Sequence, residues 1–216
     1  NYTASRVSNT ELDSWNFTSN LHAATRWMCG MVKHSDGGVN YVYMFGYKTS
    51  NSNGVCVARF PASTPGSWTF WTGSGWSTSV GAVQPIFNAG GGGFFVSKVN
   101  NKFVLVTMDF GFGCDAGTTI STSFSTSPTS GFSTLKNVYS LPDYKENHRP
   151  IHYALAIHPQ FETGYGGGAA ASKELLVTYC VNFYGSCVTM CNTNGKLDPN
   201  DYRAKGFRIP WALIGI

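Results

Sequence analysis

The histidines of this chain are clustered in a way that could support chemistry. Three of the five lie within eleven residues, beside an arginine and a tyrosine: His148, Arg149, His152, Tyr153 and His158. A neutral imidazole can orient a carboxylate, hold a water molecule or contact a hydroxyl group. A zinc site would need the His-x3-His pair on a helix, and Pro150 breaks that helix, so the pattern predicts no metal. The alternative for His152 is a neutral core histidine bonded to the backbone.

Carboxyl groups are scarce, and three of them stand where they could act on a substrate. Hydrolysis of a glycosidic bond needs two carboxyl groups, about 5–5.5 Å apart for retention of configuration or about 6.5–9.5 Å apart for inversion. The chain has 11 acidic residues. Asp109 ends an apolar run, Asp115 lies in a glycine-flanked loop, and Glu146 precedes the histidine cluster. Each of these could instead serve a turn or the surface.

The segments that position these residues have the pattern of β-strands. Short runs rich in aromatic and β-branched residues are separated by turn sequences, and no segment shows a helical repeat of useful length. The predicted strands are residues 24–33, 41–47, 55–60, 67–71, 94–99, 103–109, 118–125, 132–135, 151–158, 174–182 and 207–214. Asn100-Asn101 predicts a two-residue hairpin turn, because asparagine tolerates the positive φ angles that such a turn requires.

The strands fall into three groups, at approximately residues 22–78, 84–140 and 148–216. Middle strands such as Tyr41-Val-Tyr-Met-Phe and Phe103-Val-Leu-Val-Thr-Met do not alternate apolar with polar residues, which is typical of strands covered on both faces. Antiparallel meanders stacked face to face in this way are the blades of a β-propeller. The sequence therefore predicts an all-β chain that forms a single propeller domain or a portion of one.

Several motifs occur in an order that resembles one family. They are Tyr41-Val-Tyr-Met-Phe-Gly46, Val55-Cys-Val-Ala-Arg59-Phe-Pro61, Trp68-Thr-Phe-Trp71 with Trp76, Ser125-Thr-Ser-Pro128-Thr-Ser-Gly131-Phe132, His152-Tyr-Ala-Leu-Ala-Ile-His158-Pro159 and Leu175-Leu-Val-Thr-Tyr179-Cys-Val-Asn182. The series resembles the secreted five-bladed β-propellers of glycoside-hydrolase, arabinanase-like type, over roughly residues 40–212. It corresponds to the C-terminal three-fifths of that fold. The resemblance implies a secreted, carbohydrate-active protein whose ring this chain does not fill alone.

The resemblance also implies where a catalytic site would lie. It places His158 on the axis of the ring, so we expect a pocket lined by His158, Tyr153 and one of the three acids named above. Further side chains are expected to contact substrate, two of them on the first inner strand: Arg149, His152, His22 and Arg26.

One departure from the family pattern keeps three functions open. The family often carries a glutamate soon after the His-Pro pair, where this chain has Gln160, which cannot titrate, so an acid role there would have moved to Glu162 or been lost. A glycoside hydrolase acting on a polysaccharide is the leading hypothesis. A non-catalytic glycan-binding or structural propeller is the alternative that Gln160 and the scarce carboxylates favour. In a polysaccharide lyase, the third hypothesis, His158 and Tyr153 would remove a proton beside a uronate that Arg149 neutralises. We expect no cofactor.

The tryptophans near position 70 admit two roles. Trp68, Trp71 and Trp76 could stack on the C–H faces of a sugar, or they could fill the space between blades. Large aromatic side chains dominate the packing of protein cores, so we expect core packing.

Other features predict an extracellular protein. Asn1-Tyr-Thr and Asn16-Phe-Thr are N-glycosylation sequons, and six cysteines fit disulfides better than zinc. The segment after Cys180 can turn the chain back, so we expect a disulfide among Cys180, Cys187 and Cys191, most simply between Cys180 and Cys187. Because the chain begins at Asn1 and not at methionine, we expect a processed product or a fragment.

Charge and blade number bear on the partners. The formal charge is +4, but the lysines and arginines are scattered, so no nucleic-acid groove is expected. No apolar stretch reaches the length of a membrane helix.

Three blades are fewer than the roughly four to eight that close a propeller, and Phe45, Phe103 and Leu175 could not all be hidden among three. We therefore expect a carbohydrate polymer as ligand and a second polypeptide, from the same precursor, that completes the ring.

Overall fold

The computed structural model describes residues 25–27, 29–90, 93–109, 115–161, 173–183 and 198–216. Several residues singled out above lie outside this part of the chain: Asn1, Asn16, His22, Glu162, Cys187 and Cys191. The glycosylation, disulfide, acid role and substrate contacts assigned to them stay predictions. Within the described part, no helix is both long and apolar enough to cross a membrane.

The chain is all-β, as predicted, and the described strands form three antiparallel sheets. The first sheet holds β1 (Thr25–Arg26), β2 (Met31–Asp36), β3 (Val39–Lys48), β4 (Asn51–Pro61), β5 (Thr69–Trp71), β6 (Trp76–Ser77) and β7 (Phe87–Asn88). The second holds β8 (Gly93–Val99), β9 (Lys102–Met108), β10 (Thr119–Ser125) and β11 (Lys136–Ser140). The third holds β12 (Ile151–His158), β13 (Glu174–Asn182) and β14 (Tyr202–Pro210). The described helical segments are short: α1 (Trp211–Ile214) and 3₁₀ turns at Val80–Ala82, Pro159–Phe161 and Pro199–Asp201.

Strand order within the sheets is simple. The second and third sheets are meanders in which each strand pairs with the next along the chain. In the first sheet the β3–β4 hairpin is central, with β1 and β2 paired to β3 and with β5 and β7 paired to β4. Such local connections are the ones that short turns can make. The described strands do not close into a ring, so the five-bladed propeller stays a prediction.

The second sheet is packed between the other two. Its strand β9 is buried along nearly its whole length. Phe103 joins an apolar cluster with Phe45 of the first sheet. Its neighbour Val104 points to the opposite side and joins a cluster with Leu175 of the third sheet. Because both sides of β9 are covered, its sequence does not alternate, which confirms the predicted burial of this strand.

The expectation that three groups of strands would leave their apolar residues exposed was wrong for the residues on which it rested. Phe45, Phe103 and Leu175 are all 0 % exposed. The far side of the first sheet is also covered, because Trp27 and Val83 pack there against other core residues. The second polypeptide remains a prediction, which now rests on the family resemblance and no longer on the expected exposure of apolar residues.

The strand predicted at residues 24–33 is interrupted, and a glycine explains the break. Gly30 has a φ of +125°, and a Cβ at this position would lie 2.0 Å from the backbone oxygen of Val96. The chain therefore passes against β8 here instead of pairing continuously. Between β8 and β9, Asn100 and Asn101 adopt φ angles of +48° and +59°, so the predicted hairpin turn is confirmed.

Two other predicted strands were wrong in position. The segment 132–135 is not a strand, and the edge strand β11 begins at Lys136. The last strand was predicted over residues 207–214, but β14 ends at Pro210 and the helical turn α1 follows. Proline removes the donor that would continue the ladder, so the chain leaves the sheet there.

Candidate functional site

Asp109, one of the three candidate acids, is held as a structural acceptor. Its Oδ1 accepts hydrogen bonds from the backbone N–H groups of Thr118 (2.9 Å) and Thr119 (2.7 Å), and its Oδ2 accepts from the Thr118 hydroxyl (2.5 Å). Burial alone would raise the pKa of Asp109, but these hydrogen bonds outweigh it and hold the pKa below its ordinary value. The carboxylate ties the end of β9 to the start of β10.

The other two candidate acids lie near the histidine cluster on exposed turns. Asp115 Oδ2 lies 3.0 Å from Nδ1 of His148, and its Oδ1 accepts from the backbone N–H of Arg149 at 2.8 Å. The hydrogen bond with His148 is the main reason that the pKa of Asp115 is lowered. Glu146 lies in the tight turn between Lys145 and His148, with a φ of +52°. Neither acid lines the two cavities described below.

Two of the predicted substrate contacts, Arg26 and Arg149, lie on different parts of the fold. Arg26 is exposed on β1. The Arg149 guanidinium donates to the backbone oxygen of Leu141 at 2.5 Å and lies 4.7 Å from the ring centroid of Tyr144. Arg149 thus covers the segment that leads from the second sheet to the third.

Within the described residues, His158 and Tyr153 make no hydrogen bond to the acids with which they were expected to share a pocket, so that pocket stays a prediction. The Nε2 atom of His158 lies 2.8 Å from the Thr178 hydroxyl of the neighbouring strand. Burial, followed by a hydrogen bond to Tyr202, raises the pKa of Tyr153. Tyr153 and His152 are successive strand residues, so their side chains lie on opposite faces of the third sheet.

His152 is a buried member of a charged network that the sequence analysis missed. Its Nε2 lies 3.1 Å from Oδ2 of Asp143, which also accepts a hydrogen bond from the Tyr179 hydroxyl at 2.9 Å. The Lys205 ammonium donates to the other oxygen, Oδ1. The side chains of His152 and Asp143 are 0 % and 1 % exposed. Burial opposes the charge of Asp143, but its three partners outweigh burial and hold its pKa far below the ordinary value.

A first cavity, of about 360 Å³, borders this network. We call it the charged cavity, and its charged lining residues are Asp143, Lys145, Asp198, Asp201, Arg203 and Lys205. Lys145 pairs with Asp201 at 2.5 Å. Asp198 accepts from the backbone N–H of Asn200 at 2.8 Å, and that bond is the main reason that its pKa is lowered. Most charges of this cavity are therefore already satisfied within the protein.

A second cavity, of about 390 Å³, is lined by both the first and the second sheet. We call it the aromatic cavity, and its lining residues are His34, Asp36, Tyr43, Trp71, Trp76, Thr126, Ser127, Pro128 and Thr129. Trp71 and Trp76 are partly exposed, with ring centroids 5.2 Å apart and planes inclined at 65°. Both rings also pack against the apolar cluster that holds Phe45 and Phe103, so the predicted core packing is confirmed for their buried parts. The Trp68 ring packs in the same partial way on the other side of the sheet, with its centroid 4.8 Å from that of Phe60.

A stacked arginine holds one wall of the aromatic cavity. The Arg59 guanidinium lies between the rings of Tyr41 and Trp76, with its Cζ 4.0 Å from each ring centroid. Its Nη1 donates to Asp36 Oδ2 at 2.6 Å and to the Tyr43 hydroxyl at 3.1 Å. The Tyr43 hydroxyl in turn lies 3.2 Å from Asp36 Oδ2. Stacking and ion pairing together fix Trp76 and Asp36 in place before any ligand arrives.

The opposite wall is a serine- and threonine-rich turn that its own hydroxyl groups stabilise. The Ser125 hydroxyl donates to the backbone oxygen of Ser130 at 2.5 Å and accepts from the backbone N–H of Ser127 at 3.0 Å. The Ser127 hydroxyl then accepts from the backbone N–H of Thr129 at 3.2 Å. These bonds stabilise the conformation of the turn of residues 126–129, which lines the cavity.

Cysteines and metal ligands add no further site in the described residues. Cys56 is buried, which raises the pKa of its thiol, and Cys180 forms no disulfide with another described cysteine. The predicted partner of Cys180, Cys187, lies outside the described residues, so their disulfide stays a prediction. In the part of the chain that the structure describes, no group of three or more His, Cys, Asp and Glu residues could hold a metal ion.

Fold and site together define an all-β protein of stacked antiparallel sheets with a rigid aromatic cavity between two of them. Residues 3–210 match the family model described as Domain of unknown function (DUF5005), so the chain belongs to that family. No curated protein matches the chain.

Proposed function

We propose that this protein is a carbohydrate-binding protein and that the aromatic cavity is its binding site. The observation that carries the proposal is the pair of inclined, partly exposed rings of Trp71 and Trp76 beside the carboxylate of Asp36. The C–H face of a sugar ring packs on a flat aromatic ring, and its hydroxyl groups donate to a carboxylate. A volume of about 390 Å³ falls within the range of roughly 300–1,000 Å³ that is usual for small-molecule sites.

Rigidity of the cavity supports binding. The Arg59 guanidinium stacks on the Trp76 ring and donates a hydrogen bond to one oxygen of Asp36, so neither side chain has to become ordered when a ligand binds. The turn of residues 126–129 is likewise closed by its own hydrogen bonds. A site that is ordered in advance keeps more of its contact energy as affinity, because less entropy is lost on binding.

Four of the described carboxyl groups favour binding over hydrolysis. A glycoside hydrolase needs one carboxylic acid with a raised pKa to protonate the leaving group. The pKa values of Asp109, Asp115, Asp143 and Asp198 are lowered, so none of these four has that property. A lyase is disfavoured as well, because the raised pKa of Tyr153 makes its hydroxyl a poor acid–base group near neutral pH. We therefore prefer the non-catalytic glycan-binding alternative, in the extracellular setting that the sequons and cysteines predict.

The test is a binding screen against soluble polysaccharides with wild-type protein and Trp71→Ala. Trp71 touches Trp76 but not Arg59 in the recorded contacts, so its removal should open the cavity without releasing the stacked arginine. We expect at least a tenfold loss of affinity, which corresponds to about 1.4 kcal/mol. Phe161→Ala, which removes an exposed aromatic ring outside both cavities, is the matched control and should bind like wild type.

Two outcomes would contradict the proposal. The absence of binding to every polysaccharide, by folded wild-type protein, would remove it. Release of new reducing ends from a bound polysaccharide would show that the protein is a hydrolase, as the sequence first suggested. Thermal unfolding of each variant provides the check that the fold is kept.

A further inference from the structure

We infer that the aromatic cavity selects an uncharged sugar by gripping two neighbouring hydroxyl groups, one as a donor to Asp36 and the other as an acceptor from His34. This inference rests on the proposed function and names the class of sugar. It follows from the hydrogen-bonding capacity that the two side chains have left unused.

Asp36 offers one free acceptor. Arg59 and Tyr43 both act on its Oδ2 atom, at 2.6 Å and 3.2 Å. Within the described residues, Oδ1 has no recorded hydrogen bond, and the side chain is 54 % exposed. Because a carboxylate only accepts hydrogen bonds, Oδ1 is complementary to a hydroxyl that donates.

His34 offers one free donor. Its Nδ1 lies 3.1 Å from the ammonium nitrogen of Lys98. An ammonium group can only donate, so Nδ1 must be the accepting nitrogen and the ring proton must lie on Nε2. Burial, and then the charge of Lys98, lowers the pKa of His34, in agreement with this neutral tautomer. Nε2–H is therefore complementary to a hydroxyl that accepts.

Strand geometry places the donor and the acceptor side by side. His34 and Asp36 are two residues apart on β2, so their side chains project from the same face, about 6.6 Å apart along the strand. Both residues line the aromatic cavity. Asp36 and His34 can thus form hydrogen bonds with two adjacent hydroxyl groups of one sugar ring while the ring packs against Trp71.

The charges favour an uncharged ligand. The open oxygen of Asp36 repels a carboxylate or a sulfate. Arg59 directs its Nη1 to Asp36 and Tyr43, Lys98 is directed to His34, and neither cation lines the cavity. An acidic sugar would therefore meet the open Asp36 oxygen, while Arg59 and Lys98 are already directed to acceptors of the protein, and this disfavours it by repulsion and desolvation.

The experiment compares neutral polymers (arabinan, xylan and galactan) with acidic polygalacturonate by isothermal titration. Wild-type protein should bind at least one neutral polymer at least tenfold more tightly than polygalacturonate. Asp36→Asn and His34→Gln should each weaken the neutral complex at least fivefold, and Asp36→Asn should also reduce the preference over polygalacturonate. Asp198→Asn, which alters a carboxyl group of the charged cavity and lies outside the aromatic cavity, is the matched control and should leave both affinities unchanged.

The failures of the two proposals can be told apart. Tighter binding of polygalacturonate, still lost in Trp71→Ala, would overturn the uncharged-sugar inference and leave the binding site in place. Neutral binding that depends on Trp71 but not on Asp36 or His34 would also overturn it. If no polymer binds in a Trp71-dependent way, the proposed function itself fails. If Asp36→Asn unfolds because Arg59 loses its partner, His34→Gln decides the matter, since His34 makes no recorded bond to Arg59.

Discussion

Replacing Asp143 by alanine should destabilise the protein more than the loss of any exposed carboxylate. Asp143 joins the segment after the second sheet to all three strands of the third, through His152 of β12, Tyr179 of β13 and Lys205 of β14. The substitution leaves these three groups without their shared acceptor. Breaking a buried ion pair by removing one partner costs about 3–5 kcal/mol.

We expect a value near the lower limit, about 3 kcal/mol, because the Lys205 side chain is 29 % exposed and can be rehydrated. Such a loss is a large part of the roughly 5–15 kcal/mol that stabilises a typical domain. Urea unfolding followed by tryptophan fluorescence at pH 7 measures it. Asp198→Asn, at a half-buried carboxylate that lines the same cavity, is the control and should change the midpoint little, because the asparagine oxygen can still accept from the backbone N–H of Asn200.

The pH dependence provides a second check on Asp143. Its pKa is lower in the folded than in the unfolded protein, where a carboxyl group titrates near about 3.9. Its stabilisation is therefore complete above that pH and is lost as the pH falls from there through the folded pKa. The difference between wild type and Asp143→Ala should be smaller at pH 2.5 than at pH 7. A cost below about 1 kcal/mol at pH 7, or a difference that grows in acid, would refute the reasoning.

Three further predictions test other parts of the structure. Gly30→Ala should lower the free energy of unfolding by about 2 kcal/mol or more, because the added Cβ would clash with the Val96 backbone. Gly37→Ala is the control and should cost less, because Gly37 also has a positive φ but has open space around it. Equal shifts of the unfolding temperature in the two variants would contradict this. Arg59→Lys keeps the charge but loses the planar group that stacks on Trp76, so the free energy of unfolding should fall by about 1–2 kcal/mol. Glycan affinity, measured by titration, should fall as well. Unchanged affinity would count against a preformed cavity. If a second polypeptide completes the ring, light scattering of native material should give a mass above the 23.4 kDa of this chain, and a stable folded monomer would contradict it.

Features that depend on neighbouring residues could be predicted from the sequence. Asn100-Asn101 forms the expected hairpin turn, because the φ preference of asparagine is a local property. The unbroken apolar run of β9 correctly indicated a strand covered on both sides. The interruption at Gly30 was not predictable, because it depends on contact with Val96, which lies on another sheet.

The candidate site was harder to predict, because it depends on which distant segments meet. Asp143 was not among the candidate acids of the sequence analysis, because its importance comes from contacts with all three strands of the third sheet. Trp71 and Trp76 pack against the core as expected, but the sequence did not show that the exposed parts of their rings line a cavity together with the turn of residues 126–129. The turn sequence around Asp36 did not indicate a binding role. Its position two residues after His34 on one strand could have suggested that the two side chains lie on the same face.

The most direct test of the central claim is a ¹⁵N NMR titration of the tryptophan indole N–H resonances with the neutral polysaccharide that binds best. The chain has six tryptophans, and the indole nitrogens of Trp27, Trp68 and Trp211 are buried away from the aromatic cavity, which makes them internal references. Binding at the aromatic cavity predicts that the Trp71 and Trp76 resonances shift with increasing glycan while these three stay fixed. Glycan binding that leaves the Trp71 and Trp76 resonances unmoved would contradict the claim.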